Sequence, residues 1–176
     1  MKKTFASLFA SLLLIATSFA RIADPAAADK LYKHSGEVLD VKIIKVGEQS
    51  ITYKYPGEDA EQTIGKLAVG KIQYSSGRTE EISEKIVVSG KDDWEKVQIV
   101  SDNAQVVGLK KGEEIRGKTS GLFSYNTAGS ADKKASKRIK EAAAELGAPF
   151  VLMTSEKSDG FGVKQSIKNG VAYSYK

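Results

Sequence analysis

Gly112-Glu-Glu-Ile-Arg-Gly117-Lys118-Thr119 matches the phosphate-cradling pattern GxxxxGK[ST] letter for letter. In such a loop backbone N–H groups wrap the phosphates, the lysine reaches the terminal phosphates, and the hydroxyl opens a helix whose positive end holds negative charge. The neighbouring residues predict something else. Lys110-Lys111 breaks the apolar run that should precede the first glycine, Glu113 and Glu114 would place carboxylates beside the phosphates, and Thr119 leads into Ser120-Gly121 rather than a helix. The octapeptide Gly112–Thr119 therefore reads as a charged strand with flanking glycines, and no nucleotide is expected on it.

Lys133, Lys134, Lys137, Arg138 and Lys140 put five cations within eight residues. Such a run can meet phosphate, lipopolysaccharide or anionic lipid, at about 1 kcal/mol per charge near an anionic membrane. It also serves as the solvated face of an amphipathic helix, partly balanced by Asp132, Glu141 and Glu145. Asp92-Asp93-Trp94 and Asp102-Asn103 bring carboxylates close in sequence, but a calcium site takes about six to eight oxygen ligands from a regular loop, and the pattern favours turn and strand-edge roles. One histidine, His34, and no cysteine exclude a multi-histidine or thiolate zinc site. His34, Ser120, Ser124 and Ser130 show no nucleophile–base spacing. No catalytic residue, metal ligand or cofactor is expected.

The elements that must carry these residues fall into two patterns. From Gly36 the chain reads as strand, with Leu39, Val41 and Ile43 alternating before the apolar parity switches at Ile44 and Val46. A parity switch inside one run predicts a bend or bulge. Ile51, Tyr53 and Tyr55 alternate up to Pro56-Gly57, then come Thr63-Ile64, Leu67 and Val69, a strand over Lys71–Tyr74, and a short one over Arg78–Ser83. Five strands with turn chemistry between them and no helix predict a small SH3-like or Sm-like barrel over residues 34–83. Residues 21–33 read as a flexible lead-in, and residues 84–95 as a linker or shared strand.

The second pattern, residues 96–176, predicts an α+β domain with one main helix on a sheet. Val97 and Ile99 start a strand, Asp102-Asn103 marks a turn, and a strand surrounds Glu114–Lys118. A helix over Ala131–Leu146 has Ser130 as N-cap, Ala135, Ile139, Ala142 and Leu146 on its inner face, and Gly147 with Pro149 as its stop. Phe150-Val151-Leu152-Met153 reads as a buried strand. Asn169-Gly170 predicts a hairpin turn between Gly162–Lys168 and Val171–Tyr175. The paired tyrosines 53/55 and 173/175 read as half-buried sheet faces.

Composition limits location and partners. Lys2-Lys3, the apolar run Phe5–Thr17 and Ser18-Phe19-Ala20 form an export signal cleaved near Ala20, with Ala26-Ala27-Ala28 as a second cut, and the run is too short for a permanent span. Its removal takes two lysines and no acid, leaving the formal charge at +3 instead of +5. So mild a balance does not call for nucleic acid, and no nucleic-acid partner is expected. Zero cysteines exclude disulfides and a lipidated cysteine, so the mature chain is expected to be soluble in the periplasm or outside the cell, with no transmembrane helix.

HSGEVLDVKIIKVGEQSITYKYPG with GKLAVGKIQYSSGRTEEI resembles a small β-domain found in secreted proteins of Bacteroidota. KRIKEAAAELGAPFVLMTS, in which a helix ends at Leu146-Gly147-Ala148 and an apolar strand follows at once, is similar to envelope proteins related to the Rcs stress-sensor lipoprotein and to YbjQ-type domains. The resemblance implies a fold and an envelope location, and it transfers no catalytic residue. Without cysteines the disulfides and lipid anchor of the Rcs sensor group do not carry over. The expectation is an exported, non-catalytic binding or assembly module contacting a protein or an anionic envelope component. An envelope-stress or surface-sensing accessory and a hydrolase with dispersed residues are the alternatives.

Overall fold

The structure, a computed structural model, describes residues 28–119, 128–159 and 165–175. The expected export signal, the lead-in up to residue 27, Ser120 and Ser124 lie outside the described residues. The described chain is mostly β with few helices, in the α+β class.

The first sheet has six strands, β1 (Asp29–Lys33), β2 (Val38–Val46), β3 (Ser50–Lys54), β4 (Glu61–Gly65), β5 (Val69–Gln73) and β6 (Thr79–Glu81), in the order β4-β3-β2-β1-β5-β6. This corrects the sequence reading twice. Asp29–Lys33, assigned to the lead-in, is a central strand, because fully buried Leu31 alternates with polar neighbours and pairs with Leu39 and Ile72. The strands also number six rather than five, and among the described residues no pairing joins β4 to β6 and no closed barrel is found. The predicted bulge is present. Register shifts between Ile43 and Lys45, so Leu39, Val41, Ile43 and Val46 all reach the core while Ile44 is left exposed.

The second sheet contains β7 (Gln98–Val100), β8 (Lys110–Lys118), β9 (Phe150–Asp159) and β10 (Gln165–Ser174), ordered β7-β9-β10-β8, with β7 parallel to β9 and the other pairs antiparallel. One turn of helix, α1 (Asn103–Val106), precedes β8 and is capped by the Asp102 carboxylate, which accepts from the Ala104 N–H. The long helix is α2 (Ala128–Glu145). It starts before Ser130, which is an interior residue rather than the N-cap. Its inner stripe is Ala131, Ala135, Ile139 and Ala143, all essentially inaccessible, whereas Leu146 is 46 % exposed because the chain turns away there. Gly147 adopts φ +65° and closes the helix, with its N–H on the Ala144 carbonyl and the Ala148 N–H on the Ala143 carbonyl.

Asn169-Gly170 is not a turn. β10 runs straight through it, and the register shift against β9 falls there. The glycine meets a packing need: a Cβ at 170 would lie 2.7 Å from Val151 Cγ1 and 2.8 Å from the Leu152 carbonyl oxygen.

The layers stack as first sheet, second sheet, α2. Phe150 and Leu152 of β9, with Val100, Val106 and Leu109, join Leu31, Val41, Ile51, Ile64, Val69 and Ile72 in one core between the sheets. Val151 of β9 and Ala172 of β10 point the other way and pack with Val97, Ile139, Ala143 and Ala144 under α2. Residues 82–90 cross between the sheets outside any strand, tied at their start to β5 by the Ile82 N–H, which donates to the Gly70 carbonyl. Ile82 and Ile86 pack on the first core and Val88 on the second. A 3-10 turn, Lys91–Lys96, then lies against α2.

Phe150→Ala should therefore cost about 3–5 kcal/mol, the usual range for emptying a large buried aromatic site. Because that ring belongs to the core shared by both sheets, urea unfolding followed by far-UV dichroism should show one transition displaced as a whole. Separate loss of one sheet would contradict the shared core.

Candidate functional site

The octapeptide Gly112–Thr119 lies in an extended strand. Lys110–Lys118 is paired along its length with β10, so the backbone groups facing that neighbour are committed to a ladder rather than curled into a cradle. Gly117 has a different reason to be glycine: a Cβ there would sit 2.3 Å from the Ala135 carbonyl oxygen and 2.9 Å from the Ile139 nitrogen. It lets β8 approach the helix backbone. Thr119 is buried, and its hydroxyl accepts from the Ser166 N–H at 3.0 Å and donates to the Ser166 carbonyl at 3.3 Å.

α2 divides the cations that the sequence groups together. Lys133, Lys137 and Lys140 recur at i, i+4 and i+7 and share one stripe, while Lys134 and Arg138 share the next. The Arg138 guanidinium turns to β8 and donates to the Lys118 carbonyl. Lys133, Lys134, Lys137 and Lys140 instead line a shallow recess of about 440 Å³ with Ser136 and Trp94. Trp94 comes from the 3-10 turn Lys91–Lys96. Part of its indole packs on the Val97 cluster, and the Lys137 ammonium sits 4.8 Å from the ring centroid. Lys137 also lies 3.8 Å from Glu141, too long and too exposed to neutralise it, and Lys133 and Lys140 have no ion pair among the described residues. Among the described residues the lining contains no carboxylate. Sequence reasoning found the lysines and missed Trp94, which lies about forty residues upstream of them in the chain.

Asp93, next to Trp94, has structural partners. Asp93 accepts from the Ser89 N–H at 2.9 Å and from Lys96 at 2.7 Å, and these bonds hold its carboxyl below the usual range.

Two further polar groupings were not legible in the sequence. His34 Nε2 lies 2.9 Å from Ser83 Oγ, a nucleophile–base distance. Ser83 Oγ, however, is also 2.8 Å from the Val69 carbonyl and 3.1 Å from that of Lys66. A hydroxyl has one proton, and two carbonyls compete for it. The satisfied arrangement is His34 Nε2–H donating to Ser83, which donates onward to the backbone. The His34 ring also packs edge-on to Tyr175 at 5.0 Å, and the Tyr175 hydroxyl accepts from the Ile86 N–H. This is a clasp between first sheet, crossing segment and C-terminal strand. Burial, then the Lys85 ammonium, pull the His34 pKa below the ordinary imidazole value, and the Ser83 bond only partly opposes them.

The second grouping is Lys168, nearly buried, with its ammonium 2.9 Å from Asp132 and 2.8 Å from Glu156. Ser166 Oγ donates to the same Asp132 oxygen at 3.4 Å. Burial works against the charge on Lys168, but the bonds to Glu156 and Asp132 outweigh it and its pKa is raised. That of Asp132 is lowered, chiefly by Lys168. This knot fastens the first half of α2 to β9 and β10.

Comparison with protein-family models, with curated proteins and with solved structures gives no match to this chain. Function is read from its own residues.

Two stability measurements check these assignments. A histidine with a depressed folded-state pKa leaves the unfolded chain to take the proton first. Stability is therefore whole above about pH 6.5 and declines as pH falls from there towards the lowered value. His34→Gln should flatten that part of a urea-midpoint profile between pH 7 and 5, and an unchanged slope would remove His34 as its source. Lys168→Met leaves two carboxylates facing each other. With Asp132 and Glu156 about half exposed, the loss should be about 1–2 kcal/mol, below the full cost of breaking a buried pair.

Proposed function

We propose that the protein is an exported, non-catalytic binding module of the cell envelope that holds an anionic component, macromolecular or proteinaceous, on the Lys133/Lys137/Lys140 stripe of α2. The observation that carries this reading is the convergence of those ammonium groups with Trp94 on one recess whose described lining has no acid. Desolvated aromatic surface adds contact area, and the cations add attraction and orientation. The first sheet, a relative of small SH3-like barrels in this reading, is a scaffold rather than the contact surface. Among the described residues no helix is long and apolar enough to cross a membrane.

The test is retention on immobilised dextran sulfate at low ionic strength. At about 1 kcal/mol per lysine, the combined variant Lys133→Glu/Lys137→Glu/Lys140→Glu should bind roughly a hundredfold more weakly or worse. Lys42→Glu/Lys45→Glu/Lys110→Glu carries the same net charge change at exposed positions on other elements and should lose far less. Equal losses in the two variants would reduce the effect to net charge, and the assigned face would be abandoned.

A further inference from the structure

We infer that the ligand of this recess is an acidic saccharide, a sugar ring carrying carboxylate, sulfate or phosphate, seated with its apolar C–H face against Trp94 and its acid group among Lys133, Lys137 and Lys140. This rests on the anion-binding reading above and gives it a substrate class.

Among the described residues the recess offers an aromatic platform on one side only. Its described lining holds one aromatic ring, four lysines and one serine, and its volume of about 440 Å³ suits one or two rings rather than an extended chain. An aromatic anion is apolar on both faces and gains most when both are covered. A sugar ring has one C–H face to stack and hydroxyls elsewhere to leave in water, which is what a one-sided platform can satisfy. Ser136 stands within the lining as a donor and acceptor for such hydroxyls. A bilayer is the poorer fit: surface helices that bind lipid project apolar side chains into it, whereas here the Trp94 indole is recessed, partly packed on the protein core and covered by an ammonium. Lys137 is the movable part. Its side chain is 52 % exposed and its contacts are a ring face at 4.8 Å and a carboxylate at 3.8 Å, so an incoming acid group can take the ammonium while the sugar takes the indole.

The chain has one tryptophan, so its fluorescence reports on this recess alone. The full mature chain is titrated at low ionic strength with a glucuronate-containing hexasaccharide, poly-glutamate of matched charge, a neutral cello-oligosaccharide, and vesicles with anionic headgroups. The glucuronate hexasaccharide should shift the Trp94 emission and shield it from acrylamide, with affinity at least about tenfold above that of poly-glutamate. The neutral oligosaccharide should not bind. Trp94→Ala should lose at least about tenfold in calorimetric affinity for the hexasaccharide and little for poly-glutamate, while Trp94→Tyr retains most of the sugar preference and controls for folding. If poly-glutamate or the vesicles match the hexasaccharide, the sugar assignment falls and the anion-binding reading stands. If no anion binds, both fall.

Discussion

The first half of strand β9, Phe150 to Leu152, is buried on both faces, and the rest of the molecule is arranged around that constraint. Phe150 and Leu152 enter the core shared with the first sheet, and Val151, between them, enters the core under α2. A strand with two apolar faces cannot stand at a surface, so it must be covered twice. The first sheet covers one side and a helix with a small-residue stripe covers the other. Burial of this kind is the only cross-link available to a chain with no cysteine. The smaller fastenings, the His34–Ser83–Tyr175 clasp and the Lys168 knot, are placed where those covering layers would otherwise peel from the strand they protect.

The packing of α2 also decides which of its residues can act. Ala131, Ala135 and Ala143 let the helix lie close, and Gly117 brings β8 within touching distance of the Ala135 carbonyl. Side chains leaning towards β8 are drawn into contact there, as Arg138 is at the Lys118 carbonyl. Those on the opposite flank look over the Lys91–Lys96 turn and its tryptophan. The position of a glycine in a strand thus sorts five sequence-adjacent cations into a brace and a recess.

Periodicity made much of this legible. The parity switch at Ile43-Ile44 announced the bulge in β2, and the alanine spacing with Gly147 announced α2 and its stop. What misled was local chemistry that tertiary packing overrode. Asn169-Gly170 carries a strong hairpin signal, yet its glycine is needed where β10 crosses Val151, and the strand continues. Gly117-Lys118-Thr119 imitates a phosphate loop because helix packing and a buried hydroxyl bond happen to demand the same letters. Asp29–Lys33 was overlooked because one buried leucine among charges has no period to detect, and it becomes a strand through partners ten and forty residues away. The lysine stripe was visible, but its aromatic partner was not, since nothing local links Trp94 to residues 133–140.

A solvated helix face needs charge, but it does not need charge of one sign. Alternating acids and bases at i, i+4 would keep the face wet and add about 0.2–0.5 kcal/mol per pair, whereas like charges at that spacing cost a similar amount. Lys133 with Lys137, and Lys134 with Arg138, take the unfavourable arrangement, and the pair between Lys137 and Glu141 is long, at 3.8 Å. The rest of the chain is nearly balanced, so the repulsion is local and not a consequence of overall composition. A sequence that spends helix stability to gather cations beside its one tryptophan departs from local consistency where departures usually mark function. In the proposed reading a bound anion offsets that cost, and the recess is preferred as the site for a partner over the groupings of His34 and Lys168, whose polar groups are satisfied within the fold.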